Sequence, residues 1–228
     1  MQNEEIRNPA ISLSMYVIAI DGPAASGKSS VSRLLARKLG CRYVNSGAFY
    51  RAVTWAVLEA GLPLDDEATI SAFVSGLDIQ CHLENGQTVL LVNGTDPESH
   101  LRDSRVNSSV SRVSSFPEVR RVLTTLLRGF SGGGSLVMEG RDIGSIVFPD
   151  THYKFYIDAS EEVRASRRAA QGETDSIARR DALDSTRKNA PLIISEDAHV
   201  VDSSHLTLEG VVGEVIGRLR MKGMDVTL

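Results

Sequence analysis

Residues 16–40 read YVIAIDGPAASGKSSVSRLLARKLG. Tyr16 to Asp21 is a short apolar run that stops at an acid and a glycine, the pattern of a buried strand in a parallel sheet. From Lys28 the apolar residues Val31, Leu34, Leu35 and Leu39 recur at helical spacing, and Gly40 marks the stop. Between strand and helix, Gly22-Pro23-Ala24-Ala25-Ser26-Gly27-Lys28-Ser29 matches G-x-x-x-x-G-K-[ST], with Ser30 following. Small residues let backbone N–H groups turn inward around phosphate oxygens, and the helix N-terminus adds partial positive charge. Lys28 suits the outer phosphates of a nucleoside triphosphate, and the Ser29 hydroxyl suits Mg²⁺. A glycine-rich turn without a ligand is the bland alternative, and the strand before and helix after weigh against it. This stretch predicts an α/β fold that binds a triphosphate, most simply ATP.

The rest of the chain keeps the alternation. Helical patterns are expected over 48–60, 65–75, 104–130, 161–170 and 176–189, with a closing helix after His199 to Asp202. Strands are expected at Leu136 to Met138, Tyr153 to Asp158 and His199 to Asp202. Leu77 to Leu83 and Thr88 to Val92 flank the turn Glu84-Asn85-Gly86, which predicts a small antiparallel insert over 76–98. Strands alternating with helices predict a layered fold with a central parallel sheet.

The 228 residues carry 25 basic and 29 acidic side chains, a formal net charge of −4. That balance argues against a general nucleic-acid or anionic-membrane binder. Cys41 and Cys81 stand in no zinc pattern and predict reduced thiols in a cytosolic protein. Residues 1–14 lack a long apolar core, so they predict an extension without a fixed fold rather than a signal peptide. No stretch is long and apolar enough for a membrane helix.

Three downstream segments carry chemistry. In Asn45-Ser46-Gly47-Ala48-Phe49-Tyr50-Arg51, Ser46 and Arg51 lie about one and a half helical turns apart. The pair could clamp a phosphate or be a helix cap with a surface arginine, and the residues alone leave both open. Glu139-Gly140-Arg141-Asp142 follows a strand, where open parallel sheets place their ligand crevice. Arg180, Asp184 and Arg187 fall at i, i+4 and i+7 on one helix face, either a site or a solvated ion-pair ladder. The five histidines stand in no nucleophilic or metal pattern.

Together these segments resemble the bacterial cytidylate kinases of the nucleoside monophosphate kinase group. The resemblance runs from about Tyr16 through IDGPAASGKSS, NSGAFYR, SSFPEVR (114–120), EGRDIGSIVFPD (139–150) and RRDALDSTRKNAPL (179–192). The last two are specific; the phosphate loop is shared with many enzymes. The resemblance implies a P-loop three-layer fold: residues 15–75 and 99–228 as kinase core, 76–98 as an antiparallel insert of the monophosphate-binding region, and a short helical lid over about 161–182. It implies transfer of the γ-phosphoryl group of ATP to CMP or dCMP with Mg²⁺, by a cytoplasmic monomer. Gly22 to Ser30, with Lys28 reaching the transferred group, would bind ATP, assisted by Arg164, Arg167 and Arg168 of the lid. Ser46, Arg51, Arg141 and Arg187 would hold the acceptor phosphate. Ser111, Arg120 and Asp142 would read cytosine, and Arg180 and Asp184 would place the ribose. Lys28, Arg141, Arg180, Asp184 and Arg187 would thus be the catalytic set, with Ser29 and Glu139 on the Mg²⁺ side. One departure stands out: the family commonly has Asp-Ser-Gly where this chain has Asn45-Ser46-Gly47, so Asn45 receives no role. The lid segment 171–176 is also short. Another small P-loop kinase, of the shikimate type, or a nucleotide-binding module without turnover are the alternatives.

Overall fold

A computed structural model describes residues 15–84, 87–170, 177–186 and 192–226. Strand β1 (Val17–Asp21) leads through the glycine-rich loop into helix α1 (Lys28–Leu39). Gly40, at φ 62°, ends α1 in the left-handed conformation that glycine adopts without a Cβ penalty. Strand β2 (Arg42–Asn45) runs directly into α2 (Ser46–Glu59), followed by α3 (Glu67–Ser75). A hairpin of β3 (Ile79–Glu84) and β4 (Gln87–Val92) comes next. Its tip, residues 85–86, lies outside the described residues, as do residues 1–14 and the lid segment 171–176.

The helical stretch expected over 104–130 is two helices, α4 (Ser104–Val113) and α5 (Pro117–Gly129). Phe116 is extended at φ −71°, ψ 129°, because the ring of the following proline disfavours the helical region there; Pro117 then opens α5, where no N–H is needed. Strands β5 (Leu136–Glu139) and β6 (Tyr153–Asp158) are joined by a π-helical turn, Ile143–Val147. Helices α6 (Glu161–Ala170) and α7 (Ile177–Ser185), strand β7 (His199–Asp202) and helix α8 (Leu208–Met221) complete the chain. Helix α7 stops at Ser185, short of the expected 189, and the Leu192 N–H returns to the Asp184 carbonyl at 2.9 Å.

The main sheet has the order β2-β5-β1-β6-β7, all parallel. Side chains alternate across it. Ile18 and Ile20 point to a core built with Val31 and Leu35 of α1 and Val212, Val215 and Leu219 of α8. Ala19, Val44 and Met138 point the other way, to a core with Phe49 and Val53 of α2, Ile70 and Val74 of α3, and Leu123 and Leu127 of α5. Both faces are covered, so β1 and β5 are apolar at successive positions rather than at every second one. Each fully buried Leu, Ile or Phe contributes about 1.5–3 kcal/mol, so these two cores hold the strand ends firmly where the loops begin. The hairpin packs Leu90 and Val92 into the second core, and Thr88 Oγ1 donates to the Tyr43 carbonyl at 3.2 Å. None of the helices among the described residues is long and apolar enough to cross a membrane.

Candidate active site

The loops that follow β1, β2 and β5 open at one edge of the sheet, where a parallel sheet places its ligand crevice. Gly22 takes φ +152°, and a Cβ there would lie 2.1 Å from the Ile157 carbonyl oxygen of β6. Only glycine fits. Ala25 takes φ 60° and Gly27 φ 90°, so the loop curls over the start of α1. Gly27 brings no capping side chain and the first turn of α1 holds no acid. The helix end therefore keeps its positive potential for an anion. Lys28 is buried and folds back so that Nζ donates to the Pro23 carbonyl at 2.8 Å. Ser26 Oγ is buried with no hydrogen-bond partner among the described residues, a donor suited to a phosphate oxygen. Ser30 is exposed on the first turn.

Ser29 Oγ donates to Glu139 Oε2 at 2.7 Å, and the Tyr43 hydroxyl donates to Glu139 Oε1 at 2.6 Å. Glu139 is buried at the carboxyl end of β5. Burial first, and then the Glu139 carboxylate, push the Tyr43 phenol far above its usual range, so it stays a donor. The Arg33 guanidinium lies 5.4 Å above the Tyr43 ring. A hydroxyl and a carboxylate held together beside a phosphate loop form an all-oxygen donor pair of the kind Mg²⁺ takes alongside nucleotide phosphates.

The acceptor segment lies beside it. Ser46 Oγ donates to the Glu139 carbonyl at 2.7 Å. A Cβ on Gly140 would lie 2.5 Å from that hydroxyl, so this close approach needs glycine. Arg51 is held by the Leu101 carbonyl at 2.9 Å and by Asn107 Oδ1 at 2.5 Å. Arg141 Nε donates to Asp184 Oδ2 at 3.0 Å, and Ser111 Oγ donates to Asp184 Oδ1 at 3.3 Å. Arg120 pairs with Asp142 and donates to the Ser114 carbonyl at 3.2 Å; its guanidinium lies 5.3 Å from the centre of the Tyr50 ring. Arg120 and Asp142 are both buried, so each charge relies on the other.

Two arginines of α6 reach the phosphate loop. Arg164 Nη1 donates to the Ala24 carbonyl at 3.3 Å and pairs with Asp181, which accepts from the Ala24 N–H at 3.2 Å. Arg167 donates to the Ser26 carbonyl at 3.3 Å and to Ser203 Oγ at 2.9 Å. Arg168 is buried. The side chain of Arg180 and the whole of Arg187 lie outside the described residues.

The structure thus brings Ser111, Arg141 and Asp184 into one hydrogen-bonded set, pairs Arg120 with Asp142 and binds Ser46 to the Glu139 carbonyl. It also places residues there that sequence reasoning passed over: Asp21, Tyr43, Asn107, Asp181 and Ser203. Asp181 stood inside the charged segment 179–192 and Asp21 beside the loop; Asn107 and Ser203 carried no motif at all.

Comparison with known proteins bears on the chain as a whole. Residues 18–221 match the family model for cytidylate kinase. The chain is 40% identical over 209 residues to the cytidylate kinase of Streptomyces avermitilis, covering 88% of this chain and 90% of that one. It is 43% identical over 211 residues to that of Nocardia farcinica, covering 87% and 91%. Among solved structures, a gluconokinase from Sinorhizobium meliloti aligns over 92% of this chain and 94% of its own, with a TM-score of 0.50 at 14% identity, a likeness of fold. With a family model spanning nearly the whole described core and relatives at this identity over most of their length, the chain belongs to the cytidylate kinase family.

Proposed function

We propose that the protein transfers the γ-phosphoryl group of ATP to CMP or dCMP, giving ADP and CDP or dCDP. The observation that carries this is the placement of a buried Arg120–Asp142 pair just past β5, the strand next to the phosphate loop's own β1. Cytosine presents an exocyclic amine beside the N3 acceptor. Asp142 accepts from the amine and Arg120 donates to N3 or O2. Uracil reverses that pattern at position 4 and at N3. The buried pair then leaves polar groups unmatched against UMP, the costly kind of mismatch.

Phosphoryl transfer asks the protein for in-line placement and positive charge more than for covalent chemistry. The acceptor phosphate is a competent nucleophile at neutral pH, so no strong general base is required. On this reading Lys28 and the lid residues Arg164, Arg167 and Arg168 surround the donor phosphates. Ser46, Arg51, Arg141 and Arg187 take the acceptor phosphate, while Arg180 and Asp184 place the ribose. Helix α7 and the neighbouring 161–170 helix act as the lid, whose closure excludes the water that competes as acceptor. Ser29 and, through water, Glu139 would hold Mg²⁺, which supplies charge neutralisation at the nucleotide phosphates. On this reading the protein works as a monomer in the cytoplasm.

Steady-state assays of ADP release with CMP, dCMP, UMP and AMP test the reading. CMP and dCMP are expected to exceed UMP and AMP at least about tenfold in kcat/KM. Equal rates with all four, or ADP release independent of any monophosphate, would overturn it. The second outcome would favour the module without a dedicated acceptor.

A further inference from the structure

Asp21 has no place in the assignments above. It closes β1, immediately before Gly22, and is only 6% exposed. Its carboxylate reaches across to the segment that follows β5. Oδ1 accepts from the Ile143 N–H and Oδ2 from the Gly144 N–H, each at 2.8 Å, across 122 and 123 residues of sequence. Ile143 and Gly144 are the first two residues of the π-helical turn, whose opening N–H groups have no partner within the turn. Asp142, the residue in the capping position, makes no side-chain cap. The cap is supplied instead by the strand that feeds the phosphate loop.

A second tie lies on the other side of the same segment. The Gly140 N–H donates to the Ile20 carbonyl at 3.0 Å. Arg141 and Asp142 are therefore bracketed: residue 140 is bound to the backbone of β1, and residues 143 and 144 to the side chain that ends it. Asp142 sits between these anchors at φ −149°, ψ 26°, outside the helical region. Gly144 belongs to the same arrangement. A Cβ there would lie in ordinary contact with Asp21 Oδ2 at 3.4 Å and tightly against the Lys154 side chain at 3.2 Å, so little space separates this backbone from the carboxyl that holds it.

We propose that Asp21 is a positioning residue for the acceptor: it sets the Arg141-Asp142 segment in register with the phosphate loop that begins at the next residue. The β1–β5 pairing, the Gly140 N–H and the Ser29–Glu139 bond join the two halves as far as residue 140; beyond it, the Asp21 bonds are what tie the stretch after Asp142 back to β1. Two hydrogen bonds accepted by one buried carboxyl group fix their relative placement to the precision that in-line transfer requires. This rests on the reading of Arg141 and Asp142 as acceptor-binding. It goes beyond that reading in assigning the alignment of the two halves to one side chain that contacts neither nucleotide.

The test is Asp21→Asn, compared with wild type. The amide oxygen can accept from one of the two N–H groups, and its NH₂ group then faces the other donor. The expected result is selective: KM for CMP rises at least about tenfold and the CMP-over-UMP preference falls at least about fivefold, while KM for ATP stays within about twofold. A merely structural role would raise both KM values together and leave base preference alone, and that result would overturn the proposal. So would a variant whose CMP parameters match wild type. Should Asp21→Asn not fold, Asp21→Glu keeps the carboxyl group but sets its oxygens one methylene away from the register of the two N–H groups. The same selective loss is expected, smaller in size, and unchanged or jointly raised KM values again count against Asp21. Wild-type protein that turns over no CMP overturns the functional reading as well, which separates the two failures.

Discussion

Arg141 Nε and Asp184 Oδ2 lie 3.0 Å apart, joining the loop after β5 to helix α7. Three residues earlier on α7, Asp181 accepts from the Ala24 N–H of the phosphate loop. Residues at i and i+3 share a helix face, so one turn of α7 touches both halves of the site. One turn of α7 is thereby tied by two carboxylates to the loop after β5 and to the phosphate loop.

Replacing Asp184 by Ala removes the common partner of Arg141 and Ser111. Its kcat/KM for CMP is expected to fall at least about a hundredfold, because a charge-assisted contact and the orientation of Arg141 are lost together. Equilibrium binding of ATP is expected to persist. Asp184→Asn keeps the Ser111 bond and is expected to fall between the two. Steady-state kinetics with CMP varied, beside calorimetric titration with ATP, separates these outcomes. A loss smaller than about threefold would remove Asp184 from the acceptor site.

The buried Arg120–Asp142 pair makes base reading and stability one problem. Asp142→Ala leaves a buried guanidinium without its counter-charge, at a cost of about 3–5 kcal/mol. The double variant Arg120→Met with Asp142→Leu removes both charges and is expected to regain much of that stability while losing cytosine preference. Urea denaturation and a CMP/UMP rate ratio measure the two effects. An Asp142→Ala protein within about 0.5 kcal/mol of wild type would mean that Arg120 finds water or another partner.

The donor half was legible in the sequence because it is local. A strand, eight loop residues and a helix are contiguous, and their spacing is dictated by one ligand. The helix start at Pro117 escaped, because the break at Phe116 is hidden inside the apolar-periodic run 104–130. The residues proposed for the acceptor came only from the resemblance, since Arg120, Asp142 and Asp184 lie on α5, the loop after β5, and α7. Asp21 and Tyr43 escaped for the same reason. Each looks like an ordinary strand residue until the order β2-β5-β1 sets it beside the chain that it holds. No periodicity encodes that adjacency.

Lys28→Ala is expected to abolish transfer, with kcat down at least about a thousandfold, because the charge nearest the migrating phosphoryl group disappears. Its Nζ donates to the Pro23 carbonyl within the same loop, and the two apolar cores lie away from it, so the fold is expected to survive. Circular dichroism and activity on the same sample check both halves. Substantial turnover by the folded variant would refute the placement of the donor.

Glu139→Gln keeps the shape of the Ser29 and Tyr43 contacts and removes the negative charge. The Mg²⁺ concentration giving half-maximal rate is expected to rise at least about fivefold, with a smaller change in KM for CMP. A Mg²⁺ titration at fixed ATP decides it, and an unchanged midpoint would place the metal away from Glu139.

Asp21 also makes stability depend on pH, with a sign that its surroundings determine. Burial lifts its pKa from the ordinary 3.8 to about 7, against the Gly144 and Ile143 N–H groups that favour the charge; Asp142 adds to the rise and Lys28 opposes it. The folded protein thus keeps the Asp21 proton to a higher pH than the unfolded chain does. Between about pH 4 and 7 unfolding releases that proton, so raising the pH across this window favours the unfolded state. The contribution is fully present below about pH 4, is lost by about pH 7, and is on the order of 4 kcal/mol from this group alone. Exposed Glu118, held down to about 2 first by its bonds from Arg121 and Ser75, works in the opposite direction at still lower pH, so the total curve mixes the two. The difference between wild type and Asp21→Asn isolates the buried group. Urea denaturation of both proteins from pH 5 to 8 is expected to show wild type losing ground to the variant steadily up to about pH 7 and holding level above it. A gap that stays constant across that range would show that Asp21 is already ionised throughout. The two N–H bonds would then outweigh burial in setting its charge.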